Sequence, residues 1–264
     1  MTAYLGSRTD DHTESDRLRL LEACRDPGTI RRLEGLGVGP GWRCLEVGAG
    51  RGSIARWLAG RVGPAGSVVA AELDPRFLTD LPAPVEVRRV DVRERGFEPG
   101  AYDLVHCRAM LMHLPDPATA LGRMVAALRL GGVLLVEEGD FGLMRFGGHP
   151  EADRISGLAE YAIDRLAEAR IMDGRLGRKL PGLVVASGVR IGGTEIEAGV
   201  AVPGGPAYAF EQASASASAD NMLRLGIFTE ADVALVKSFF DERDAVVTTL
   251  SMVAVWGRAG TGPV

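Results

Sequence analysis

Apolar residues fall in short runs bounded by glycine, proline or acidic residues, and these runs alternate with longer amphipathic stretches. A first strand ends at Val47, a glycine-rich turn follows, and Ile54 to Leu58 begin a helix. Residues 67–72 (Ser-Val-Val-Ala-Ala-Glu) read as a buried strand, followed by Asp74-Pro75, a helix cap with proline at the first helical position. Val85 to Val90 is a third strand, ending at Asp91, and Tyr102 to Cys107 a fourth. Asp116-Pro117 caps a helix reaching Leu130, and Gly131-Gly132 turns into a fifth strand, Val133 to Glu137. Strands alternating with helices at this pitch predict a parallel, doubly wound sheet.

The flanking segments depart from that rhythm. Residues 1–14 are polar, and from Ser15 the leucines at 18, 20, 21 and 33 with Ile30 predict helices broken at Asp26-Pro27-Gly28. Phe141 to Gly148 is rich in glycine and aromatics, and Glu151 to Ile171 is helical, which reads as an inserted cap. Ala186 to Ala201 reads as a helix end and a sixth strand, and Ala213 to Ala219, alternating alanine and serine, as small residues packing a helix. Thr229 with Asp232 starts another helix, and Val246 to Trp256 is a final strand. The expected architecture is α/β: a doubly wound, mostly parallel seven-stranded sheet with N-terminal helices and a helical cap. One domain is expected over 1–264, with an N-terminal arm (1–40), a core (41–139), a cap insertion (140–182) and the rest of the sheet (183–264).

Composition narrows the function classes. Hydrophobic residues make up 46% and charged residues 25%, so a sizeable core is available. The net charge of −5 comes without any lysine- or arginine-rich run, which argues against nucleic acid or an anionic membrane as partner. Apolar runs such as Val133 to Val136 are too short to span a bilayer, and residues 1–14 hold no apolar signal segment. Cys24, Cys44 and Cys107 show no metal or Cys-x-x-Cys spacing and read as reduced thiols of a cytoplasmic protein without a metal site.

The stretch from Arg43 to Ser53 carries the chemistry. Glycines stand at 48, 50 and 52, whereas a dinucleotide fingerprint wants its third glycine where Ser53 stands, and a Walker loop would need a lysine that is missing. The segment from Cys44 to Ser53 resembles motif I of class I S-adenosylmethionine-dependent methyltransferases, an acidic residue followed by spaced glycines. Glu72, Asp91 and the strand from Tyr102 to Cys107 follow in the family's order. His113-Leu114-Pro115-Asp116-Pro117 and Leu128-Arg129-Leu130-Gly131-Gly132 are similar to its "HLPDP…LRPGG" signature, with Leu130 in place of the proline. The resemblance covers about residues 40–140 and implies a Rossmann-like methyltransferase fold, with S-adenosylmethionine as cofactor and S-adenosylhomocysteine as product.

Site residues follow from the same comparison. Glu72, roughly 20 residues past the loop, has the placing of an acid that accepts both ribose hydroxyls; its rival Asp74 is better explained as a helix cap. The resemblance implies that Gly48, Ala49, Gly50, Gly52 and Ser53 cradle the cofactor and that Glu46 orients the loop and the methionine amino group. It further implies that Asp91 and the backbone of Val92 meet the adenine, that Leu73 is among the cofactor-binding residues, and that Cys107 and Arg108 supply backbone contacts. A core thiol and a surface arginine are the plainer readings of that last pair. Arg51 either pairs with the methionine carboxylate or is solvated.

His113 is either a packing residue or a wall of the transfer pocket. His149 is either structural or the general base, with Asp140 and Glu138 as further candidates. Tyr4, Phe141, Met144, Phe146 and Tyr161 could line an apolar pocket or form the cap's core.

The function expected is methyl transfer to an O-, N- or C-nucleophile of a small molecule. No Asp/Asn-Pro-Pro-Tyr segment follows strand four, which points away from nucleic-acid acceptors. The high arginine-to-lysine ratio suggests a bacterial source and a secondary metabolite; a homodimer is allowed. The alternatives are a non-methylating protein of the same fold, a cyclase or binding protein, and an NAD-dependent oxidoreductase.

Overall fold

Residues 11–260 are described by the computed structural model; Tyr4 and most of the polar N-terminal segment lie outside the described residues. In chain order the helices are α1 (Asp11–Gly35), α2 (Ser53–Val62), α3 (Pro117–Ala127), α4 (Ala152–Glu168), α5 (Leu176–Ala186), α6 (Pro206–Arg224) and α7 (Glu230–Phe239). The first strands are β1 (Arg43–Val47), β2 (Ser67–Glu72), β3 (Val85–Arg89), β4 (Tyr102–Arg108) and β5 (Leu128–Asp140). They are followed by β6 (Arg145–Gly147), β7 (Val189–Glu197), β8 (Val200–Ala201), β9 (Val246–Thr248) and β10 (Ser251–Ala259).

The chain divides into two units. The first holds Arg25 to Glu138, Leu176 to Ile196 and the chain from Val253 onward. It contains the expected seven-stranded sheet, in the order β3-β2-β1-β4-β5-β10-β7. β1 pairs in parallel with both β2 and β4, and β2–β3 and β4–β5 are parallel too. Strand order therefore reverses between β1 and β4, and ligands of open parallel sheets sit outside the carboxyl ends at such a point. Strands of this kind are covered on both faces. Leu45, Leu104, Leu134 and Leu135 are fully buried, and Ile54, Leu58 and Val62 of α2 pack into the same core as Cys44 and Leu104. At the sheet's end Gly193 of β7 lies under the indole of Trp256, where a Cβ would come 2.9 Å from Nε1.

The second unit gathers the chain up to Cys24, Gly139 to Arg175 and Glu197 to Met252. Its core joins Phe146, Ile155 and Leu166 to Tyr208, Met222, Phe239 and Phe240. A three-stranded antiparallel sheet, β6-β9-β8, belongs to it. Of the insertion expected over 140–182, the residues from Leu176 onward belong to the first unit, while 197–252, which the sequence reading gave to the main sheet, belong to the second.

Four local expectations are corrected. α1 runs unbroken through Pro27, because tertiary bonds from Asp26, Thr29 and Arg32 hold the turns around the missing donor. After Asp74 only a single 3-10 turn forms, Pro75–Phe77, with Asp74 accepting from the Arg76 N–H; Pro82 and Pro84 close by prevent a longer helix. α3 stops at Ala127, since Leu128 turns extended and pairs with Tyr102. The single strand expected over 246–256 is two, β9 and β10, in different sheets. Thr249 makes the break: its N–H donates to the Gly199 carbonyl (2.9 Å) and its Oγ1 accepts from the Gly199 N–H (3.2 Å).

Candidate cofactor and active site

The turn between β1 and α2 has Gly48, Gly50 and Gly52 at φ +75°, +57° and +81°, the left-handed region where only glycine is unstrained. A Cβ on Gly48 would sit 2.9 Å from Cγ of Met110, and one on Gly52 2.9 Å from Leu81, so chain packs against the loop at both ends. Above Gly50 a Cβ would meet nothing within 4 Å. The loop's own donors are mostly used: the Gly48 and Ala49 N–H groups donate to the Ala71 carbonyl and that of Gly52 to Ala49. Ser53 then opens α2.

Glu72, at the end of β2, closes the loop from the other side. Its Oε2 accepts from the Gly50 N–H (3.0 Å) and its Oε1 from the Leu73 N–H (2.7 Å). Burial pushes the carboxyl up, against backbone N–H groups that pull it down. Leu73 itself is exposed. Asp91, past β3, is clamped by Arg93: Oδ1 accepts from its backbone N–H and Nε (both 2.9 Å) and Oδ2 from Nη2 (2.6 Å). That hydrogen bonding holds Asp91 below the usual carboxylate range. Val92 is buried, and its carbonyl accepts from Arg123 (2.7 Å).

At the switch point Glu46 of β1 stands opposite His106 of β4, and Arg108 opposite Glu137 of β5. Cys107 is a fully buried thiol whose pKa burial drives well up. Arg108 is no surface arginine: its guanidinium donates to Thr29 Oγ1 (2.9 Å) and Asp26 Oδ1 (2.7 Å). Ala109 then takes φ +51°, and the next three N–H groups, of Met110, Leu111 and Met112, all donate to the Glu138 carboxylate at 2.7–3.2 Å. That capped turn sets Met110 against Gly48. His113 ends it half-buried, its N–H donating to the Met110 carbonyl.

His149 belongs to the second unit. Its Nδ1 accepts from the Glu151 N–H (2.9 Å), so the neutral ring carries its proton on Nε2 and offers no unengaged lone pair. Asp140 caps a turn by accepting from the Gly142 N–H. Met144 and Phe146 are core of the second unit with Phe141 packed against them, while Tyr161 is half-exposed beneath Arg165.

Sequence reasoning missed the acids and bases inside the strands. Glu46 was assigned to the cofactor, but His106, Glu137 and their partners on α1 received no role. The signal was present: a histidine and a glutamate inside otherwise apolar strand runs must find buried partners.

A mostly parallel seven-stranded sheet with a glycine turn at its switch point and an acid closing β2 makes this a Rossmann-like α/β fold. Residues 45–136 match a family model described as a methyltransferase domain. Over that stretch the chain is similar to methyltransferase domains. Methyltransferase str3 of Strobilurus tenacellus is 32% identical over 158 residues, 59% of this chain and 56% of that protein. The chain spans about half the length of the curated relatives it first matches. Among solved structures, a candidate methyltransferase from Bacillus halodurans superposes with a TM-score of 0.60 at 16% identity, covering 88% of this chain and 99% of that one. The cyclase SpnF superposes at 0.52 with 17% identity, covering 85% and 76%. Among the described residues no helix is long and apolar enough to cross a membrane.

Proposed function

We propose that this chain transfers a methyl group from S-adenosylmethionine to a nucleophilic atom of a small molecule, as a cytoplasmic enzyme of secondary metabolism. One observation carries the choice of cofactor: the Gly48, Ala49, Gly50 and Gly52 N–H groups are all taken within the chain, one of them by the Glu72 carboxylate. A pyrophosphate needs such donors unspent. An adenosyl group without phosphate needs instead an acid for its ribose and open space above the loop, and Glu72 and Gly50 supply these. Glu72 already accepts from the backbone N–H groups of Gly50, Leu73 and Asp74, which leaves about one of its four acceptor sites for a ribose hydroxyl.

When bound, S-adenosylmethionine supplies a methyl already activated on a sulfonium; the chain's work is to align, enclose and exclude water. Glu46 orients the methionine amino group, Leu73 flanks the ribose, and Cys107 and Arg108 offer backbone at the end of β4. Asp91 receives the adenine amino group only if it shares the carboxylate with Arg93, so the Val92 backbone is the firmer adenine contact. An acceptor that must lose a proton needs a base, for which His113 is the remaining candidate, since the Nδ1 lone pair of His149 is engaged by the Glu151 N–H. The name of the Strobilurus relative supports methyl transfer; the acidic net charge of −5 supports a small acceptor over nucleic acid.

Calorimetric titration with S-adenosylmethionine, S-adenosylhomocysteine and NADH tests this reading. Wild type should bind the two adenosyl-sulfur ligands and not NADH, and Glu72→Ala should weaken both by about tenfold or more, the worth of a charge-assisted hydrogen bond. Preference for NADH would return the chain to the oxidoreductases. Tight adenosyl binding with no methylated product across an acceptor screen would favour a non-methylating role.

A further inference from the structure

Where a parallel sheet ordinarily carries aliphatic side chains, the carboxyl ends of β1, β4 and β5 carry charge. Glu46 is 4% exposed, and His106 and Glu137 are completely buried. His106 lies between the two acids: Nδ1 is 2.7 Å from Glu46 Oε2 and Nε2 3.1 Å from Glu137 Oε2. The chain of bonds continues into α1. Thr29 Oγ1 donates to Glu137 Oε2 (2.6 Å) and Arg32 Nη1 to Glu137 Oε1 (2.5 Å), while Arg108 bridges Thr29 and Asp26. Asp26, Glu46 and Glu137 thus meet Arg32, Arg108 and His106 in a single network, which Arg32 Nε extends to the partly exposed Glu195 (3.1 Å).

A network of this kind is a poor way to gain stability. Taking charges out of water costs several kcal/mol per ion, and apolar residues of similar volume usually do as well or better. What it does supply is fixed geometry at one carboxylate. Burial alone would lower the imidazole's pKa, but Glu46 and Glu137 outweigh it and raise it to about 9. At neutral pH the ring is therefore a cation that donates from both nitrogens, one bond per acid.

We propose that His106 is a positioning residue: anchored on Glu137 through Nε2, it holds the Glu46 carboxylate through Nδ1 in the orientation that receives the amino group of the cofactor's methionine portion. This rests on the cofactor reading above. His106 touches neither cofactor nor acceptor, and its effect is transmitted through Glu46. The amino-acid end of the ligand should therefore depend on His106, and the adenosine end should not.

Two substitutions separate the ring's nitrogens. The amide nitrogen of asparagine falls near the place of Nδ1, and that of glutamine near Nε2, so His106→Asn keeps the donor toward Glu46 and His106→Gln keeps the one toward Glu137. Calorimetry with S-adenosylhomocysteine and with adenosine should find the first ligand weakened about tenfold or more in His106→Gln but within about threefold of wild type in His106→Asn. Adenosine should bind all three proteins alike. Equal weakening of both ligands, or equal behaviour of the two variants, would overturn the proposal in favour of a merely structural histidine. If neither variant folds, nitrogen NMR of ¹⁵N-histidine-labelled wild type decides: the chain has four histidines. The His106 signals should move with S-adenosylhomocysteine and stay still with adenosine; signals unmoved by both ligands overturn it. Wild type that fails to bind S-adenosylhomocysteine overturns the cofactor reading and this proposal together. Binding that no His106 substitution changes overturns this proposal alone.

Discussion

At the end of β5, Glu137 and Glu138 are neighbours in sequence yet are pulled to opposite ends of the carboxylate range. Burial raises both. At Glu137 the bonds from His106 and Thr29 and the charge of Arg108 prevail and bring it down to about 2. At Glu138 burial prevails over three backbone N–H groups, and the charge of Glu137 adds to it, giving about 7. The two therefore act oppositely on stability. Glu137 stabilises the fold above its ordinary 4.5, and that contribution is lost as pH falls from there toward 2. Between 4.5 and 7 the folded chain keeps the Glu138 proton that the unfolded chain has released, so stability falls as pH rises through this window. His106 continues the decline: its contribution is full below 6.5 and is lost as pH rises to about 9. Urea denaturation from pH 5 to 6.5 reads Glu138 when wild type is compared with a Glu138 variant, since the raised Glu72 contributes equally to both. The midpoint should drop with pH in wild type and stay flatter in Glu138→Gln; identical slopes would mean that Glu138 is ionised throughout.

Among the elements, α7 tests local signals most directly. Thr229 and Asp232 form a full capping box: the Asp232 N–H donates to Thr229 Oγ1 (3.2 Å) and the Thr229 N–H to Asp232 Oδ2 (3.0 Å). Thr229→Ala should cost about 1 kcal/mol, read as a lowered urea midpoint at unchanged slope. This start was legible because capping is chemistry between residues three apart. The first five strands were legible for a similar reason, each being a short apolar run closed by its own turn residues. What was hidden depended on distant partners. Pro27 looks like a helix breaker until Asp26 and Thr29 are seen held by Arg108 and Glu137. Val246 to Trp256 looks like one strand because apolarity does not say which sheet a residue joins. His106 was hidden in the same way, since its two partners lie on strands far from it in sequence.

For the whole molecule, the decisive feature is the place of β10, between β5 and β7 in the main sheet though it is the last strand of the described chain. Removing residues 251–260 should expose the edge of β5 and detach β7, not merely shorten a terminus. The expected result is loss of soluble protein and of cooperative thermal unfolding; a truncated chain with native far-UV circular dichroism and a sharp transition would refute it. That placement also sets a schedule during synthesis. The glycine turn and its Glu72 partner leave the ribosome early, but roughly a hundred residues separate the end of β5 from β10. At about 10 residues per second, β5 waits on the order of ten seconds with an apolar edge unpaired. Over that interval the nascent chain should offer the β5 edge to chaperones, a liability that the finished sheet no longer has.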